Sequence, residues 1–339
     1  MACAAAAVLG VATATTAMAG TGTARSAAPA LAPAASSCNA LLQALHLCTV
    51  TPPAPTPTPS STAPALASCG GEQPVKANGT PWTCSFDEEF NGTALDTSKW
   101  TVQLTSNSGF TTGTSPGRAC YVNTPNNVSV SGGYLHLTAR KEAAKFTCKS
   151  PGLSSFSTQF TAGEVSTWKQ FIQTYGRYEV RAQIPQTFVK GLQETLWLWP
   201  DNDTKYGAFP ASGEIDFAEF YSQYSDRVIP YIHYNYNAST VNTTTNTNIV
   251  TNDYTCLLDP TAFHSYVVEW APGTITLTYD GKPCITDHYV PNGNLKSPQP
   301  FDQPFFIALT QALGVGTNAY TASTPLPATT LVDYVRVWR

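Results

Sequence analysis

Apolar and polar residues alternate with a period of two along several segments of this chain. Leu135, Leu137 and Ala139 are each separated by one more polar residue, and the same alternation runs through residues 178–184 and 274–279. Successive side chains of a β-strand point to opposite faces of a sheet, so the pattern predicts strands that bury one face. No segment shows a convincing amphipathic-helix period. The alternation therefore predicts an all-β fold, an antiparallel β-sandwich of two packed sheets.

The composition limits the partners that the chain can have. Only 12% of the 339 residues are charged and the formal net charge is −4, so we expect no binding to nucleic acid.

Residues 1–19 are predicted to be a signal peptide, because a small, apolar run ends in Ala17-Met18-Ala19, which has the form of a cleavage site. The alternative is a retained Ala-rich tail. No later stretch is apolar enough to span a membrane, so we expect a secreted, extracellular or cell-wall-associated protein.

Three zones follow the predicted signal peptide. Residues 20–50 are Ala-rich, and their segment from Cys38 to Cys48 is expected to be one short helix closed by a disulfide, either a docking element or a spacer. Residues 51–66 are rich in Pro and Thr and are predicted to form an extended, semi-rigid linker. Residues 67–339 contain no repeat and are predicted to form one large domain.

The cysteine count supports secretion. Of the nine cysteines, Cys3 lies in the predicted signal peptide and eight remain, an even number that suits disulfides in an oxidising compartment. Eight cysteines allow many pairings, so the sequence leaves the connectivity open. Pairing in sequence order is the simplest hypothesis.

Residues 213–220 place three carboxylates close together on a predicted strand. Glu214 and Asp216 are two residues apart and share a face, whereas Glu219 is at an odd offset and would point the other way on a regular strand. One extra residue near Phe217-Ala218, a β-bulge, would bring Glu219 onto the same face. A solvated strand face is the simpler interpretation, but like charges on one face repel and the intervening residues are apolar. The stretch therefore favours a catalytic acidic face.

Two tryptophans lie just before the acidic strand. In the stretch 192–199, Thr195, Trp197 and Trp199 share one face of a predicted strand. A second core face would explain two tryptophans there. The alternative is a platform on which a pyranose ring stacks, in the same cleft as the carboxylates.

The sequence resembles glycoside hydrolase family 16 over about residues 80–339. The acidic stretch matches the bulged E-x-D-x-x-E signature of laminarinase-like members, and further segments follow in the family's order. These segments are residues 86–100, 121–140, 175–181, 263–270, 301–306 and 332–337.

The resemblance implies a concanavalin A-like jelly roll with a concave cleft, in which a β-linked polysaccharide is hydrolysed with retention of configuration. It implies that Glu214 is the nucleophile, that Glu219 is the general acid/base and that Asp216 hydrogen-bonds and orients the nucleophile. Trp197 would line the subsite next to the cleaved bond, with Trp199 beside it on the platform. His233, on the next strand, would contact the sugar or the acid/base; an ordinary sheet histidine is the alternative.

The residue types suit this chemistry. A retaining mechanism needs two carboxyl groups about 5–5.5 Å apart, which two long Glu side chains on a concave sheet can reach. Asp216 is shorter and better placed as a partner. Neighbouring negative charge is expected to raise the pKa of Glu219, so that it stays protonated and can donate to the leaving oxygen.

Two segments depart from the family's pattern. Residues 193–196 differ from the usual laminarinase sequence before the platform, and residues 311–316 follow the family only loosely; Gln311 is a candidate substrate-binding residue there. Many relatives hold a structural Ca²⁺, for which the resemblance implies Asp333 and Glu89 as candidate ligands. Catalysis itself is expected to need no cofactor.

We therefore predict an endo-acting β-glucanase that cleaves β-1,3-glucan and acts as a monomer. Rival hypotheses are a galactanase, a mixed-linkage glucanase or a transglycosylase on the same fold. A non-catalytic glucan-binding lectin is the rival from another class, and the intact acidic triplet argues against it.

Overall fold

The structure is a computed structural model that describes residues 68–151, 154–185, 187–235 and 251–339. The predicted signal peptide, the segment 20–50 with the disulfide expected between Cys38 and Cys48, and the predicted linker 51–66 lie outside the described residues. Within the described residues, no helix is long and apolar enough to cross a membrane.

The regular secondary structure of the described residues is almost entirely β-strand. One short helix, α1 (Thr105–Ser108), and two 3₁₀ turns (Ser222–Tyr224 and Gly316–Asn318) are the helical elements of this part of the chain. Sixteen strands make up the rest of the regular structure: β1 Cys84–Glu88, β2 Thr101–Val102, β3 Thr111–Thr112, β4 Ala119–Tyr121, β5 Val128–Ser131, β6 Tyr134–Cys148, β7 Phe156–Ser166, β8 Gly176–Gln183, β9 Leu192–Pro200, β10 Glu214–Tyr221, β11 Ile229–His233, β12 His264–Ala271, β13 Thr274–Tyr279, β14 Lys282–Asp287, β15 Phe305–Leu313 and β16 Ala328–Trp338.

Hydrogen bonds join the strands into one continuous sheet, which folds into two layers. Its order is β11-β10-β9-β15-β7-β6-β16-β8-β12-β13-β14, and the pairs along it are antiparallel; β4 pairs with β7 in parallel. The long strand β6 belongs to both layers, because its first half pairs with β16 and its second half with β7. The first five strands of the order form the layer that carries the acidic stretch.

The core lies between the two layers. Leu135, Leu137 and Ala139 are completely buried, as the alternation predicts. Rings from opposite layers meet there: Trp270 of β12 contacts Phe305 of β15 edge-on, with 5.1 Å between centroids. Burying a large apolar side chain stabilises a fold by about 1.5–3 kcal/mol, so this face-to-face packing holds the layers together. The predicted all-β sandwich is confirmed.

Local sequence signals also agree with the structure. Asp280 and Gly281 join β13 to β14 with φ angles of 47° and 75°, the left-handed conformation that a two-residue hairpin turn needs.

The described disulfides follow sequence order. They join Cys69 to Cys84, Cys120 to Cys148 and Cys256 to Cys284. For these six cysteines, the simplest pairing hypothesis is confirmed.

Candidate active site

A β-bulge interrupts strand β10 between Asp216 and Glu219. Asp216 pairs with Tyr231 of β11 and Glu219 pairs with Ile229, so three steps along β10 correspond to two steps along β11. The register with β9 shifts at the same place. One extra residue is therefore present, and the predicted bulge is confirmed.

The bulge turns Glu219 onto the face that carries Glu214 and Asp216. The three carboxylates line one pocket on the outer face of their layer and are only 6%, 6% and 3% exposed, in that order. The residues between them, Ile215 and Phe217 among them, are fully buried in the inter-layer core. Alternation and bulge together thus give β10 one acidic and one apolar face.

Neighbouring strands and one loop complete the pocket. Strand β9 contributes Gln193, Thr195 and Trp197, and β15 contributes Thr310 and Ala312. The remaining lining residues come from the loops and short strands around them: Phe110, Thr111, Thr112, Gly113, Thr114, Tyr121 and Val315. None of the lining residues is Lys or Arg.

Glu219 is held by three neutral donors. Gln193 Nε2 and Thr195 Oγ1 each lie 3.2 Å from its Oε1, and the hydroxyl of Tyr221 donates to its Oε2. Burial and, after it, the negative charge of Asp216 raise the pKa of Glu219 to about 8. The expected direction is confirmed, but the expected cause is corrected, because desolvation contributes more than neighbouring charge. Glu219 is therefore mostly protonated at neutral pH.

Asp216 is bonded to His233 of β11. Their Oδ2 and Nε2 atoms lie 3.2 Å apart, and the same Nε2 lies 4.0 Å from Glu214 Oε2. Burial alone would lower the pKa of His233, but its hydrogen bond to Asp216 and the charges of Asp216 and Glu219 outweigh burial and raise it. The interaction with Asp216 thus favours the cationic form of His233, which compensates the charge of Asp216. The resemblance implied that Asp216 hydrogen-bonds Glu214; among the described residues, the hydrogen-bond partner of Asp216 is His233.

Glu214 shares the acidic face without a cation of its own. Burial, then the charges of Asp216 and Glu219, raise its pKa well above the ordinary value. It is therefore unfavourable for Glu214, Asp216 and Glu219 all to be ionised at the same time. Atoms of Glu214, Asp216 and His233 lie within 4.8 Å of one another, close enough to share a metal ion. A cation there would occupy the carboxylate that the resemblance names as nucleophile.

The two platform tryptophans lie beside the carboxylates. Trp197 pairs with Asp216 across the strands and lines the pocket, and its Nε1 donates to Thr310 Oγ1 at 2.9 Å. Trp199 contacts Trp197 edge-on, with 5.7 Å between centroids, and stacks on Phe209. Both indoles are half-buried, so apolar ring surface is available next to the acidic face.

The comparison with known families agrees with this geometry. The family model described as "Beta-porphyranase A-D, GH16 domain" matches residues 83–339, about three quarters of the chain. The chain belongs to glycoside hydrolase family 16. The resemblance drawn from the sequence is confirmed, and with it the jelly-roll fold.

Relatives within family 16 carry different names. The chain is 31% identical over 277 residues to glucan endo-1,3-beta-glucosidase A1 of Niallia circulans, covering 75% of this chain and 37% of the relative. It is 32% identical over 180 residues to keratan-sulfate endo-1,4-beta-galactosidase of Sphingobacterium multivorum, covering 53% of this chain and 40% of the relative. Among solved structures, the laminarinase from Rhodothermus marinus superposes with a TM-score of 0.56 at 28% identity, covering 76% of this chain and 97% of the other. The chain thus spans about two fifths of the first two relatives.

Gln311 does not lie in the family 16 cleft, and its prediction as a substrate-binding residue is wrong. It is fully buried on the core side of β15, where its Nε2 donates to Glu194 Oε1 at 2.6 Å and its Oε1 accepts from Thr330. The side chains of β15 alternate, so its neighbours Thr310 and Ala312 line the pocket instead.

The candidate calcium ligands do not fit a metal ion. Asp333 forms an ion pair with Arg181, and both oxygens of Glu89 are bonded to Arg336, at 2.7 and 3.0 Å. Each carboxylate already faces a guanidinium, which would repel a bound cation. Asp333 and Glu89 are therefore each part of a structural ion pair, the first with Arg181 and the second with Arg336.

Several pocket residues were missed by the sequence reasoning. Tyr221 follows Glu219 by two residues and therefore shares its face, and Gln193 precedes Thr195 by two residues on the face that carries Trp197; the period of two could have found both. Glu164 of β7 is different. It lies beneath the pocket, 4% exposed, with hydrogen bonds to Thr310 and Tyr121, and burial raises its pKa to about 8. No local signal marks it, because strand pairing brings it there.

Proposed function

We propose that this protein is a secreted, endo-acting, retaining glycoside hydrolase whose preferred substrate is β-1,3-glucan. The observation that carries the proposal is the bulged strand β10, which aligns Glu214, Asp216 and Glu219 on the pocket wall with Glu219 mostly protonated at neutral pH. An acid that is still protonated at neutral pH, next to a second carboxylate, is what a double-displacement mechanism requires.

Burial raises the pKa of both glutamates, so the first step starts from the protonation state in which the shared proton lies on Glu219. In that state, ionised Glu214 attacks the anomeric carbon and forms a glycosyl ester. Glu219 gives its proton to the glycosidic oxygen, and the leaving sugar departs as an alcohol. In the second step, ionised Glu219 takes a proton from a water molecule that attacks the anomeric carbon. The bond to Glu214 breaks and both carboxyl groups return to their starting states.

The surroundings of each carboxylate support these roles. Three neutral donors hold Glu219 in place, and the charge of His233 lowers the pKa of Glu219 less than burial raises it. Burial raises the pKa of Asp216, and the hydrogen bond to His233 acts against that rise; in its ionised form Asp216 can stabilise the positive charge that develops on the sugar. Trp197, next to Asp216, offers an apolar face for the ring that is attacked.

The absence of Lys and Arg from the pocket lining supports a neutral polysaccharide. Residues 236–250, which follow β11 in the chain, also contain neither residue type. Recognition of a sulfate ester normally uses Arg or Lys. A relative named as a glucan endo-1,3-beta-glucosidase agrees with a neutral β-glucan.

A β-galactan is the second candidate substrate. The matching family model is named for porphyranases, and one relative is named as an endo-1,4-beta-galactosidase. A pocket lining without Lys or Arg makes an unsulfated galactan the form to test. Mixed-linkage glucan and transglycosylation remain rival activities of the same site.

The remaining parts of the proposal concern the whole chain. The described disulfides suit an oxidising, extracellular compartment. We expect the enzyme to act as a monomer, because one chain supplies the acidic strand, the platform and the loops of the pocket. The proposed reaction needs no cofactor.

A reducing-end assay tests this function. The wild-type protein is incubated with laminarin, lichenan, agarose and xyloglucan, and we expect most product from laminarin. Glu214→Gln and Glu219→Gln should each lower kcat by roughly a thousandfold or more, because each removes a group that takes part in bond making or breaking. Glu269→Gln, a partly exposed carboxylate on the other layer, is the matched control.

Two outcomes would contradict the proposal. Binding of a glucan without release of reducing ends from any substrate would favour the lectin. Full activity in Glu214→Gln would overturn the assignment of the nucleophile.

A further inference from the structure

Three tyrosines, Tyr231, Tyr254 and Tyr224, form an aromatic row. The row begins at the acidic face and extends away from it on the side opposite the pocket. Tyr231 of β11 pairs with Asp216 and stacks on His233, with 5.3 Å between ring centroids and 3° between planes. Strands β9, β10 and β15, the short strands β3 and β4 and nearby loops line the pocket, and none of the lining residues comes from β11. Tyr231 therefore continues the catalytic surface across β11, toward the edge of the layer.

Two further tyrosines extend the row. The hydroxyls of Tyr231 and Tyr254 are hydrogen-bonded, and the Tyr254 ring contacts Tyr224 edge-on, with 6.0 Å between centroids. Tyr231 is nearly buried, whereas Tyr254 and Tyr224 are each 39% exposed. The inner tyrosine thus acts as a support, and the outer two present ring surface to solvent.

The row is not part of the inter-layer core. Tyr231 packs with Tyr221 and Ile229 in a small cluster that is separate from the main core. Tyr221 is the residue whose hydroxyl donates to Glu219. The same side chains therefore support both the acid/base carboxyl and the row.

Polar groups border the exposed rings. Arg227 donates to the backbone oxygen of Tyr254 at 2.9 Å and forms an ion pair with Asp226. Its guanidinium lies 5.7 Å from the centroid of Tyr224. A small apolar surface with hydrogen-bonding groups at its border suits a sugar ring, which has apolar C–H faces and a rim of hydroxyls.

We propose that Tyr254 and Tyr224 form a sugar-binding subsite beyond the catalytic pocket, for neutral pyranose units of the same polysaccharide chain. The proposal rests on the proposed function and deepens it. Strand β10 divides the surface, with Trp197 on one side and the row on the other. A polymer that is cut internally has sugar units on both sides of the cleaved bond, and the row provides a surface for the units on the second side.

The test compares a long and a short substrate in Tyr254→Ala and Tyr224→Ala. The long substrate is laminarin, and the short one is a nitrophenyl glycoside of a glucose disaccharide, which ends at the catalytic pocket. We expect kcat/KM on laminarin to fall about five- to twentyfold through KM, and to change less than about twofold on the nitrophenyl glycoside. Tyr254→Phe keeps the ring and should retain most of the activity on laminarin. Tyr134→Ala, a tyrosine stacked on Phe263 in the other layer, is the matched control.

Equal losses on both substrates would overturn the subsite, because they would show that the row only supports the catalytic carboxyls. No loss on either substrate would overturn it too. If the wild-type protein cleaves neither substrate, the function fails separately, and calorimetric titration with a laminarin hexasaccharide still tests the subsite. Unchanged hexasaccharide affinity in Tyr254→Ala would then contradict it.

Discussion

At the scale of single residues, Glu219 differs from Glu214 in the donors around it. Tyr221, Thr195 and Gln193 donate to Glu219, whereas Glu214 faces the Asp216–His233 pair. Two glutamates on one strand face thus have different surroundings, which is how a site gives similar groups different roles.

The hydroxyl of Tyr221 has a predictable effect on the pH profile. Its hydrogen bond favours the ionised form of Glu219 and lowers the pKa, which burial nevertheless raises to about 8. In Tyr221→Phe this bond is lost, so the pKa of Glu219 rises and the protonated acid persists to higher pH. We expect the alkaline limb of kcat/KM on laminarin to move to higher pH.

The measurement is a pH–rate profile of the wild type, Tyr221→Phe and the control Tyr134→Phe. The control, in the other layer, should keep the wild-type limb. A Tyr221→Phe limb that stays in place, or moves to lower pH, would contradict the assignment of Glu219 as the acid.

At the scale of the strand, the bulge has a consequence that a deletion can test. Glu219 pairs with Thr195 on β9 and Ile229 on β11, and Asp216 pairs with Trp197 and Tyr231. Removing Ala218 leaves the alternating sequence Glu-Ile-Asp-Phe-Glu, in which the last Glu still lies opposite Thr195 and Ile229. We therefore expect the Ala218 deletion to fold and to keep activity within about a hundredfold of wild type.

Deletion of Ile215 is the matched comparison on the same strand. It removes one residue between Glu214 and Asp216, so the two carboxylates become adjacent and Glu214 turns toward the core. We expect a loss of roughly a thousandfold or more in kcat. Circular dichroism checks that both deletions are folded. Equal inactivity of two folded deletions would show that the bulge itself, and not only the alternation, positions Glu219.

The strand pattern explains how far the sequence could predict the site. Glu214, Asp216, Glu219 and Trp197 follow from alternation plus one bulge, because their positions depend on neighbours along the chain. Gln311 was named as a candidate in a segment that follows the family only loosely. The sequence of β15 is apolar on both sides, and only its pairing with β9 decides which of its residues reach the pocket.

Contacts between distant segments could not be predicted either, because they also depend on how the strands pair. The partners of Asp216, Asp333 and Glu89 are His233, Arg181 and Arg336, and each lies on another strand or far along the chain. The sequence provides the charges, but the register of the strands decides which charges meet. Burial likewise decides the pKa of Glu219 more than any charge visible in the motif.

At the scale of the whole molecule, buried acids make stability depend on pH. Burial raises the pKa of Glu164 and Asp287 to about 8, as it does for Glu219. In the unfolded chain these groups ionise near their ordinary pKa values. At a pH above those pKa values, unfolding therefore releases protons. Their contribution to stability is fully present below the unfolded pKa and is lost as the pH rises through the folded pKa.

Glu164→Gln isolates one of these contributions. Its pKa rises from 4.5 to about 8 on folding, and each unit corresponds to about 1.4 kcal/mol, so its contribution between acidic and alkaline pH is of the order of a few kcal/mol. We expect the free energy of unfolding of the wild type to be larger near pH 5 than near pH 8. Because a glutamine cannot ionise, that difference should be smaller in Glu164→Gln. Urea unfolding at the two pH values measures it, with Glu142→Gln, a partly exposed carboxylate on β6, as the control. An unchanged difference in Glu164→Gln would mean that Glu164 is ionised in the folded protein, and that the hydroxyls of Tyr121 and Thr310 are enough to stabilise its charge.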